Sequence, residues 1–261
     1  MEDRESYFDK YKHIKLRREN GVLEMTLHTD GKPMQWGHHS KVELWQAFRD
    51  IGADRSNRVV ILTGIGNEFM GPRHTGGVGS YQAIKEDIDV VAVDTTHWYA
   101  RKLMMSFLEI EVPMIGVVNG PAYRHCEIPL MCDVVLAADD ASFEDTAHFH
   151  LGNTVPGDGV NIVLSLLLGL NRARYLTLTG QVISASEAKD LGLVGEVMSR
   201  EQLLPRAWEL ANQLAKKPDL LLRYTRMALI QPLKRAFDQD LGYQMSLETM
   251  GGMEKIQKLP K

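Results

Sequence analysis

The chain has 261 residues, of which 44% are hydrophobic and 25% charged, and these proportions predict one ordinary soluble globular domain with a sizeable core. A formal net charge of −4 excludes a generally basic surface, so we expect neither nucleic acid nor an anionic membrane as a partner. Two cysteines, no segment that resembles a signal peptide and no apolar run near the roughly 20 residues of a membrane helix predict a reduced, cytoplasmic protein.

The N-terminal segment predicts a hairpin followed by a helix. Two β-rich runs, residues 13–18 and 22–29, flank the dipeptide Asn20-Gly21, which is typical of a tight hairpin turn. After this hairpin, Ser40 with Glu43 three positions later predicts a capping box at the start of an amphipathic helix.

The middle of the chain predicts buried strands that alternate with helices. The stretch "RVVILTG" at residues 58–64 contains a continuous apolar run of the kind found in strands covered on both faces, and residues 86–110 follow with helical spacing. Two further buried strands are predicted in "VPMIGVVNG" and in "CDVVLAADDASF". The alternation of strand, helix and strand indicates the α/β class.

The C-terminal part predicts helices only. Residues 160–180 are apolar and helical in pattern with Gly169 inside them, and from residue 199 onward apolar residues recur at spacings of three and four. We therefore expect a core formed by residues 1–198 and a C-terminal helical region formed by residues 199–261.

The stretch "SFEDTAHFHLGNTVPGDG" concentrates residues that can carry chemistry. It holds His148, His150 and, between two glycines, Asp158. Imidazole and carboxylate suit zinc or iron, but the chain has no His-Glu-x-x-His motif and no cysteine pair at finger spacing, so no metal is expected. It also lacks a Gly-x-Ser-x-Gly elbow and a Walker A loop, so neither a serine nucleophile nor a nucleotide cofactor is expected.

Three segments carry a family resemblance: "VVILTGIGNEFMGP", "VPMIGVVNGPAYRHCEIPLMCDVVLAADDASF" and "LGNTVPGDGVNIVLSLLLGLNRARYLTLTGQVISASEAKDLGLVGEV". In order and spacing they resemble the crotonase (enoyl-CoA hydratase/isomerase) superfamily over about residues 13–250. The resemblance implies an α/β fold, a crotonase-like spiral of β-β-α turns with a C-terminal helical trimerisation region. It also implies a homotrimer or a dimer of trimers.

The chain departs from that superfamily in the two loops whose backbone N–H groups hold a thioester oxygen in crotonases. The first loop reads "FMGPRH" at residues 69–74, and its Pro72 has no N–H to donate. The second reads "PAYRHC" at residues 121–126, where His125 stands in place of the glycines that allow a close approach of backbone to substrate. These departures predict an enzyme that works without CoA.

The segments "GKPMQW", "VPGDG", "LTGQ" and "LLPRAWELA" resemble one branch of the superfamily, the β-diketone hydrolases typified by 6-oxocamphor hydrolase. These enzymes cleave a carbon–carbon bond between two carbonyls by retro-Claisen attack of water. The resemblance implies that Trp36 and His125 bind a carbonyl of a small-molecule diketone, that His148 with Asp158 activates water, and that Glu248 lines the site.

The histidine–aspartate pair has the chemistry of a general base. Imidazole, with an ordinary pKa of about 6.5, can take a proton from water near neutral pH, and a carboxylate behind it stabilises the imidazolium. The segment from His148 to Asp158 is one residue longer than in the branch, so His150 is an alternative base, although we favour His148. The natural diketone, cyclic or open-chain, and the choice between trimer and hexamer are left open by these residues.

Two other functions compete with diketone hydrolysis. One is a CoA-dependent hydratase or isomerase with a rebuilt oxyanion hole, and the other is a non-catalytic scaffold on the same fold. Individual residues also have ordinary structural explanations: Trp36 as a packing residue, Asp158 as a turn or cap residue, and Glu248 as a solvent-facing helix residue.

Overall fold

The computed structural model describes residues 7–73 and 90–257. His74 in the first altered loop, residues 86–89 of the predicted helix, and both chain ends lie outside the described residues. The α/β class is confirmed, because the main sheet of the described chain alternates with helices. The division at residue 198 stays a prediction.

Within the described residues, the main sheet has six strands in the order β1-β2-β3-β4-β5-β8. The first pair is antiparallel and the other neighbours are parallel. A smaller antiparallel sheet pairs β6 with β7. The strands are β1 (Ile14–Glu19), β2 (Val22–Leu27), β3 (Val59–Gly64), β4 (Met114–Val118), β5 (Val134–Ala138), β6 (Ser142–Phe143), β7 (Ile183–Ser184) and β8 (Glu196–Met198).

The burial of each strand matches the pattern of its sequence. Every residue of β3 and β4 is buried, as continuous apolar runs predict for strands covered on both faces. Between β1 and β2 the predicted turn is present, with positive φ of 51° at Asn20 and 80° at Gly21. Positive φ at both central residues is the geometry that makes Asn-Gly favourable in two-residue hairpins.

The helices of the described residues cover the sheet and form the C-terminal part of the chain. They are α1 (His38–Ala53), α2 (Val90–Leu108), α3 (Glu127–Leu130), α4 (Phe149–Gly152), α5 (Val160–Leu168), α6 (Leu170–Thr179), α7 (Ala185–Asp190), α8 (Arg200–Leu214), α9 (Asp219–Leu229) and α10 (Gln231–Gln257). None of them is long and apolar enough to cross a membrane.

The prediction that Ser40 caps α1 is wrong. The N-cap is Gly37, and the Ser40 hydroxyl lies inside the first turn, where it accepts from the Gly37 N–H at 2.8 Å and donates to the Gly37 carbonyl at 2.9 Å. Glu43 does not complete a capping box; it instead accepts from the His13 backbone N–H at 2.8 Å. A tertiary contact with His13, the residue before β1, therefore occupies the side chain that the local pattern assigned to the cap.

The single helix predicted over residues 160–180 is two helices. Gly169 has φ of 79°, so the chain ends α5 there and starts α6 in a new direction. A left-handed residue cannot continue a right-handed helix, and glycine adopts that conformation at little cost.

Helix α10 packs on α2 and α5 and passes close to the loop before α5. Gly157 makes this approach possible: a Cβ there would lie 2.3 Å from the Gln244 carbonyl oxygen and 2.7 Å from Glu248 Cβ. Any side chain at this position would push the helix away. The glycine before Asp158 therefore fixes the distance between Asp158 and the carboxylate of Glu248.

Candidate active site

Two histidines face the same carboxylate at the centre of the site. Oδ2 of Asp158 lies 3.5 Å from Nε2 of His148 and 3.6 Å from Nδ1 of His125. Glu248 comes in from α10, with its Oε1 3.9 Å from Nε2 of His148. The four side chains are brought together from three parts of the chain: the segment before α3, the loops that flank α4, and α10.

His125 is held in an unusual backbone conformation beside Trp36. Its φ is 49°, in the left-handed region, which favours glycine, and a non-glycine residue there is often found at a functional site. Its Nδ1 lies 2.7 Å from Oε1 of the fully buried Glu127. The centroid of its ring is 3.7 Å from that of Trp36. The imidazole is therefore fixed on one side by a carboxylate and on another by an indole.

His148 lies immediately before the short helix α4 and is 4% exposed. Its Nδ1 is 2.7 Å from Oδ1 of Asp145, three residues earlier, which is a hydrogen-bond distance. Its Nε2 is directed to Asp158 and Glu248 at the longer distances already given. Both ring nitrogens thus face carboxylates.

This environment changes the proton affinity of each group. Burial acts to lower the pKa of His148, but the negative charges of Asp145 and Asp158 outweigh it and raise the pKa well above 6.5. For Asp158, burial acts to raise the pKa, and the His148 and His125 imidazoles hold it well below its usual range. Burial and the nearby Asp158 raise the pKa of Glu248 to about 7. Two carboxylates of one site, Asp158 and Glu248, therefore have widely different pKa values.

Two basic side chains balance the carboxylates. Lys41, on the first turns of α1, has a pKa lowered by burial, a shift that the charges of Asp158 and Glu248 partly reverse. Arg124, next to His125, has a pKa lowered by burial, and Asp145 and Asp158 oppose that shift. Each of these two positive charges interacts with two of the negatively charged carboxylates. The positive and negative charges of the site therefore come from several helices and loops.

Two buried carboxylate oxygens have no hydrogen-bond partner within the described residues: Oδ1 of Asp158 and Oε2 of Glu127. Two sets of side chains could hold a metal ion by their geometry, His125 with Glu127 and Asp158, and His148 with Asp158 and Glu248. Within each set the ligand atoms lie within 4.8 Å of one another. The absence of a metal stays a prediction, which chelation can test.

The structure brings together all five residues that the sequence singled out: Trp36, His125, His148, Asp158 and Glu248. It does not bring His150 to them. That side chain is exposed on α4 and packs on Gly180, where a Cβ would lie 2.3 Å from the imidazole Cγ.

Sequence reasoning missed three further residues of the site: Asp145, Glu127 and Lys41. Two of them had a recognisable feature, since each carboxylate stands within three positions of a candidate histidine, in "DTAH" and in "HCE". Lys41 had none, because only the tertiary packing of α1 turns it toward Asp158 and Glu248.

Comparison with known proteins gives a family match over residues 17–257, to the model described as enoyl-CoA hydratase/isomerase. A short-chain-enoyl-CoA hydratase of Clostridium acetobutylicum is 33% identical over 233 residues, which cover 89% of this chain and 86% of that protein.

Two solved structures share the fold. The structure of a β-diketone hydrolase of the cyanobacterium Anabaena, bound to (S)-3-oxocyclohexyl acetic acid, has a TM-score of 0.86 and 39% identity, covering 96% of this chain and 98% of that one. An enoyl-CoA hydratase/isomerase of Mycobacterium paratuberculosis has a TM-score of 0.82 and 25% identity, covering 97% of this chain and 100% of that one. The crotonase-like fold and the resemblance to the β-diketone hydrolase branch are confirmed.

Proposed function

The chain belongs to the enoyl-CoA hydratase/isomerase family, and we propose that it hydrolyses a carbon–carbon bond between the two carbonyls of a β-diketone. The similar structure from Anabaena, described as a β-diketone hydrolase, supports this activity over a CoA-thioester reaction. The sequence relative from Clostridium acetobutylicum carries a hydratase name. The residues of the site support diketone hydrolysis.

The observation that carries the proposal is the placement of His125. It stands where crotonases use glycine to present a backbone N–H, and its imidazole lies against Trp36 with a fixed orientation. Burial raises the pKa of Glu127, and a protonated Glu127 donates to Nδ1 of His125 at 2.7 Å, so the neutral ring carries its proton on Nε2, the nitrogen available to a substrate carbonyl. Two side-chain N–H groups, from His125 and Trp36, then replace an oxyanion hole of backbone amides.

The reaction balances without an external cofactor. Water adds its oxygen to one carbonyl carbon and gives up a proton to a base, which forms a tetrahedral adduct. The adduct collapses to a carboxylic acid as the carbon–carbon bond breaks, and the bond's electron pair becomes the enolate of the second carbonyl. Trp36 and His125 stabilise the negative charge on that enolate oxygen, and a proton returned to carbon yields a keto acid.

The water side of the reaction is the cluster of His148, Asp158 and Glu248. Neutral His148 accepts the proton of water, and the carboxylate of Asp158 stabilises the imidazolium that results. Since the pKa of His148 is raised well above 6.5 by Asp145 and Asp158 against the opposing effect of burial, its neutral form increases as the solution becomes alkaline. The rate is therefore expected to rise with pH through a midpoint well above 6.5.

The compound bound to the similar structure supports one class of substrate. A molecule such as (S)-3-oxocyclohexyl acetic acid, which is bound to the Anabaena structure, is the keto acid that hydrolysis of a bicyclic β-diketone produces. One former carbonyl carbon becomes the carboxylic acid and the other remains a ketone. We propose a cyclic diketone of this size as substrate, with open-chain diketones as the comparison.

The test is a diketone panel followed by ultraviolet absorbance, with product masses recorded in ordinary and heavy-oxygen water. We expect loss of the diketone, a product heavier by one water, and heavy oxygen in its carboxylate. Stoichiometric binding of a CoA ester with no diketone turnover would support a hydratase or isomerase instead. A protein inert to the whole panel and to CoA esters would support the scaffold alternative.

We also propose that the partner of this chain is further copies of itself. Helices α9 and α10 expose large apolar side chains, including Leu220, Leu221, Tyr224, Tyr243 and Met250. Large apolar side chains exposed at helical spacing, such as Leu220 with Tyr224 and Tyr243 with Met250, favour an apolar helix face that another protein covers. Light scattering on the purified protein is expected to give the mass of a trimer or a hexamer, and a monomer at micromolar concentration would contradict the assembly.

A further inference from the structure

We infer that Asp145 is the positioning residue of His148 and that Asp158 instead faces the reacting molecules. This inference rests on the proposed function for the identity of those molecules. Its geometric part concerns the protein alone, so it can be tested without substrate.

The two ring nitrogens of His148 differ in the contacts they make. Nδ1 is 2.7 Å from Oδ1 of Asp145, whereas Nε2 is 3.5 Å from Oδ2 of Asp158. A hydrogen bond between nitrogen and oxygen is usually 2.7–3.2 Å long, so only the first contact fixes the ring. A proton on Nδ1, held by Asp145, leaves Nε2 as the nitrogen that exchanges a proton with water.

The same arrangement repeats at the second histidine. Nδ1 of His125 is 2.7 Å from Oε1 of Glu127 and 3.6 Å from Oδ2 of Asp158. Each imidazole thus has its own close carboxylate from its own segment of chain, two or three residues away. Asp158 is the more distant neighbour of both, so it orients neither of them.

Asp158 has an oxygen left for a ligand. Its Oδ1 is buried and has no hydrogen-bond partner in the part of the chain that the structure describes. Leaving a buried carboxylate oxygen without a partner costs free energy that a bound hydroxyl or water recovers. Together with its position between the two histidines, this places Asp158 in contact with the attacking water.

The charges around His148 come from several elements. Asp145 lies on its own loop, Asp158 precedes α5, and Glu248 comes from α10. Arg124 acts on Asp145 and Asp158, and Lys41 acts on Asp158 and Glu248. Loss of any one carboxylate is therefore expected to shift the titration of His148, so a pH profile alone cannot identify the positioning residue.

The hydrogen bond made by Nδ1 of His148 can identify the positioning residue. In protein labelled at histidine nitrogen, we expect a strongly downfield proton signal on Nδ1 of His148, assigned by its absence from His148→Ala. Asp145→Asn should abolish this signal, whereas Asp158→Asn and the exposed control Asp139→Asn should keep it. Loss of the signal in Asp158→Asn with retention in Asp145→Asn would overturn the inference, as would its absence from the wild-type protein.

The second test is steady-state kinetics on a diketone that the protein hydrolyses. Asp145→Asn should lower kcat by between about tenfold and about 10⁴-fold, the range seen when a carboxylate that orients a histidine is lost, with little change in KM. Asp139→Asn should retain wild-type kcat. An Asp145→Asn enzyme with wild-type kcat would overturn the inference, whereas a wild-type protein with no diketone turnover but an intact Nδ1 signal would overturn only the proposed function.

Discussion

Replacing Glu248 by glutamine tests whether His148 is the base, because the substitution removes a charge and keeps the shape. Oε1 of Glu248 lies 3.9 Å from Nε2 of His148. With the pKa of Glu248 raised to about 7 by burial and Asp158, its carboxylate is ionised across the alkaline range in which His148 titrates. The negative charge favours the imidazolium, so its removal lowers the pKa of His148.

The size of the shift follows from the distance. Two unit charges about 4 Å apart interact by roughly 4 kcal/mol at an effective dielectric constant near 20, and by roughly 1 kcal/mol in water. One pKa unit corresponds to about 1.36 kcal/mol, so we expect the pKa of His148 to fall by about one to three units.

The assay is the pH dependence of kcat/KM for wild type, Glu248→Gln and the control Asp240→Asn, an exposed carboxylate on the same helix. A lower pKa makes neutral His148 available at lower pH. The acid side of the kcat/KM profile of Glu248→Gln should therefore shift to lower pH by the same amount. The control should leave it in place. A Glu248→Gln enzyme that is inactive at every pH, with wild type showing a midpoint near 7, would show that Glu248 itself takes the proton.

Three further predictions concern the same site. His125→Ala should lower kcat by about a hundredfold or more, the cost of one lost oxyanion donor, and should also lower the unfolding temperature, because the buried Glu127 loses its hydrogen-bonding partner; near-native turnover of the folded variant would show that the carbonyl is held elsewhere. His148→Ala should be inactive and His150→Ala nearly unaffected, since His150 is exposed and packs on Gly180, so equal losses in steady-state kinetics would contradict the choice of base. Prolonged chelation should leave turnover unchanged, and recovery of a chelated enzyme by zinc alone would establish a metal at one of the two possible ligand sets.

Strands β1 to β5 could be predicted from sequence because the pattern of apolar residues in each reflects its burial. Strands β7 and β8, of two and three residues, are too short to show such a pattern. The continuous apolar run of β3 and the Asn-Gly pair before β2 are local features, and the structure keeps both. The start of α1 could not be predicted in this way. The carboxylate of Glu43 could accept a hydrogen bond from a backbone N–H at the start of its own helix or from the distant His13. The sequence alone does not show that it accepts from His13.

Five members of the site were predictable, and their pairing was not. His125, His148 and Asp158 were found because they break patterns of the family to which the chain belongs, and Trp36 and Glu248 because they match the β-diketone hydrolase branch. Asp145 and Glu127 break none, although each makes a shorter contact with its histidine than Asp158 does. Which carboxylate is close depends on where the backbone turns, such as the positive φ at His125 and at Asn153 after α4. A residue pattern does not encode such differences of about 1 Å.

The packing of Gly157 against α10 links this electrostatic cluster to the fold. Because the helix contacts the glycine, Glu248 stays within 3.9 Å of His148, where burial and Asp158 raise its pKa. A larger residue at position 157 would move Glu248 outward, which would return its pKa toward the ordinary value and weaken its effect on His148. Groups that interact this strongly shift one another's titration, so the pH at which His148 loses its proton depends on the whole cluster. If His148 is the base, the close approach of Gly157 to α10 therefore helps to set the pH range of the proposed reaction.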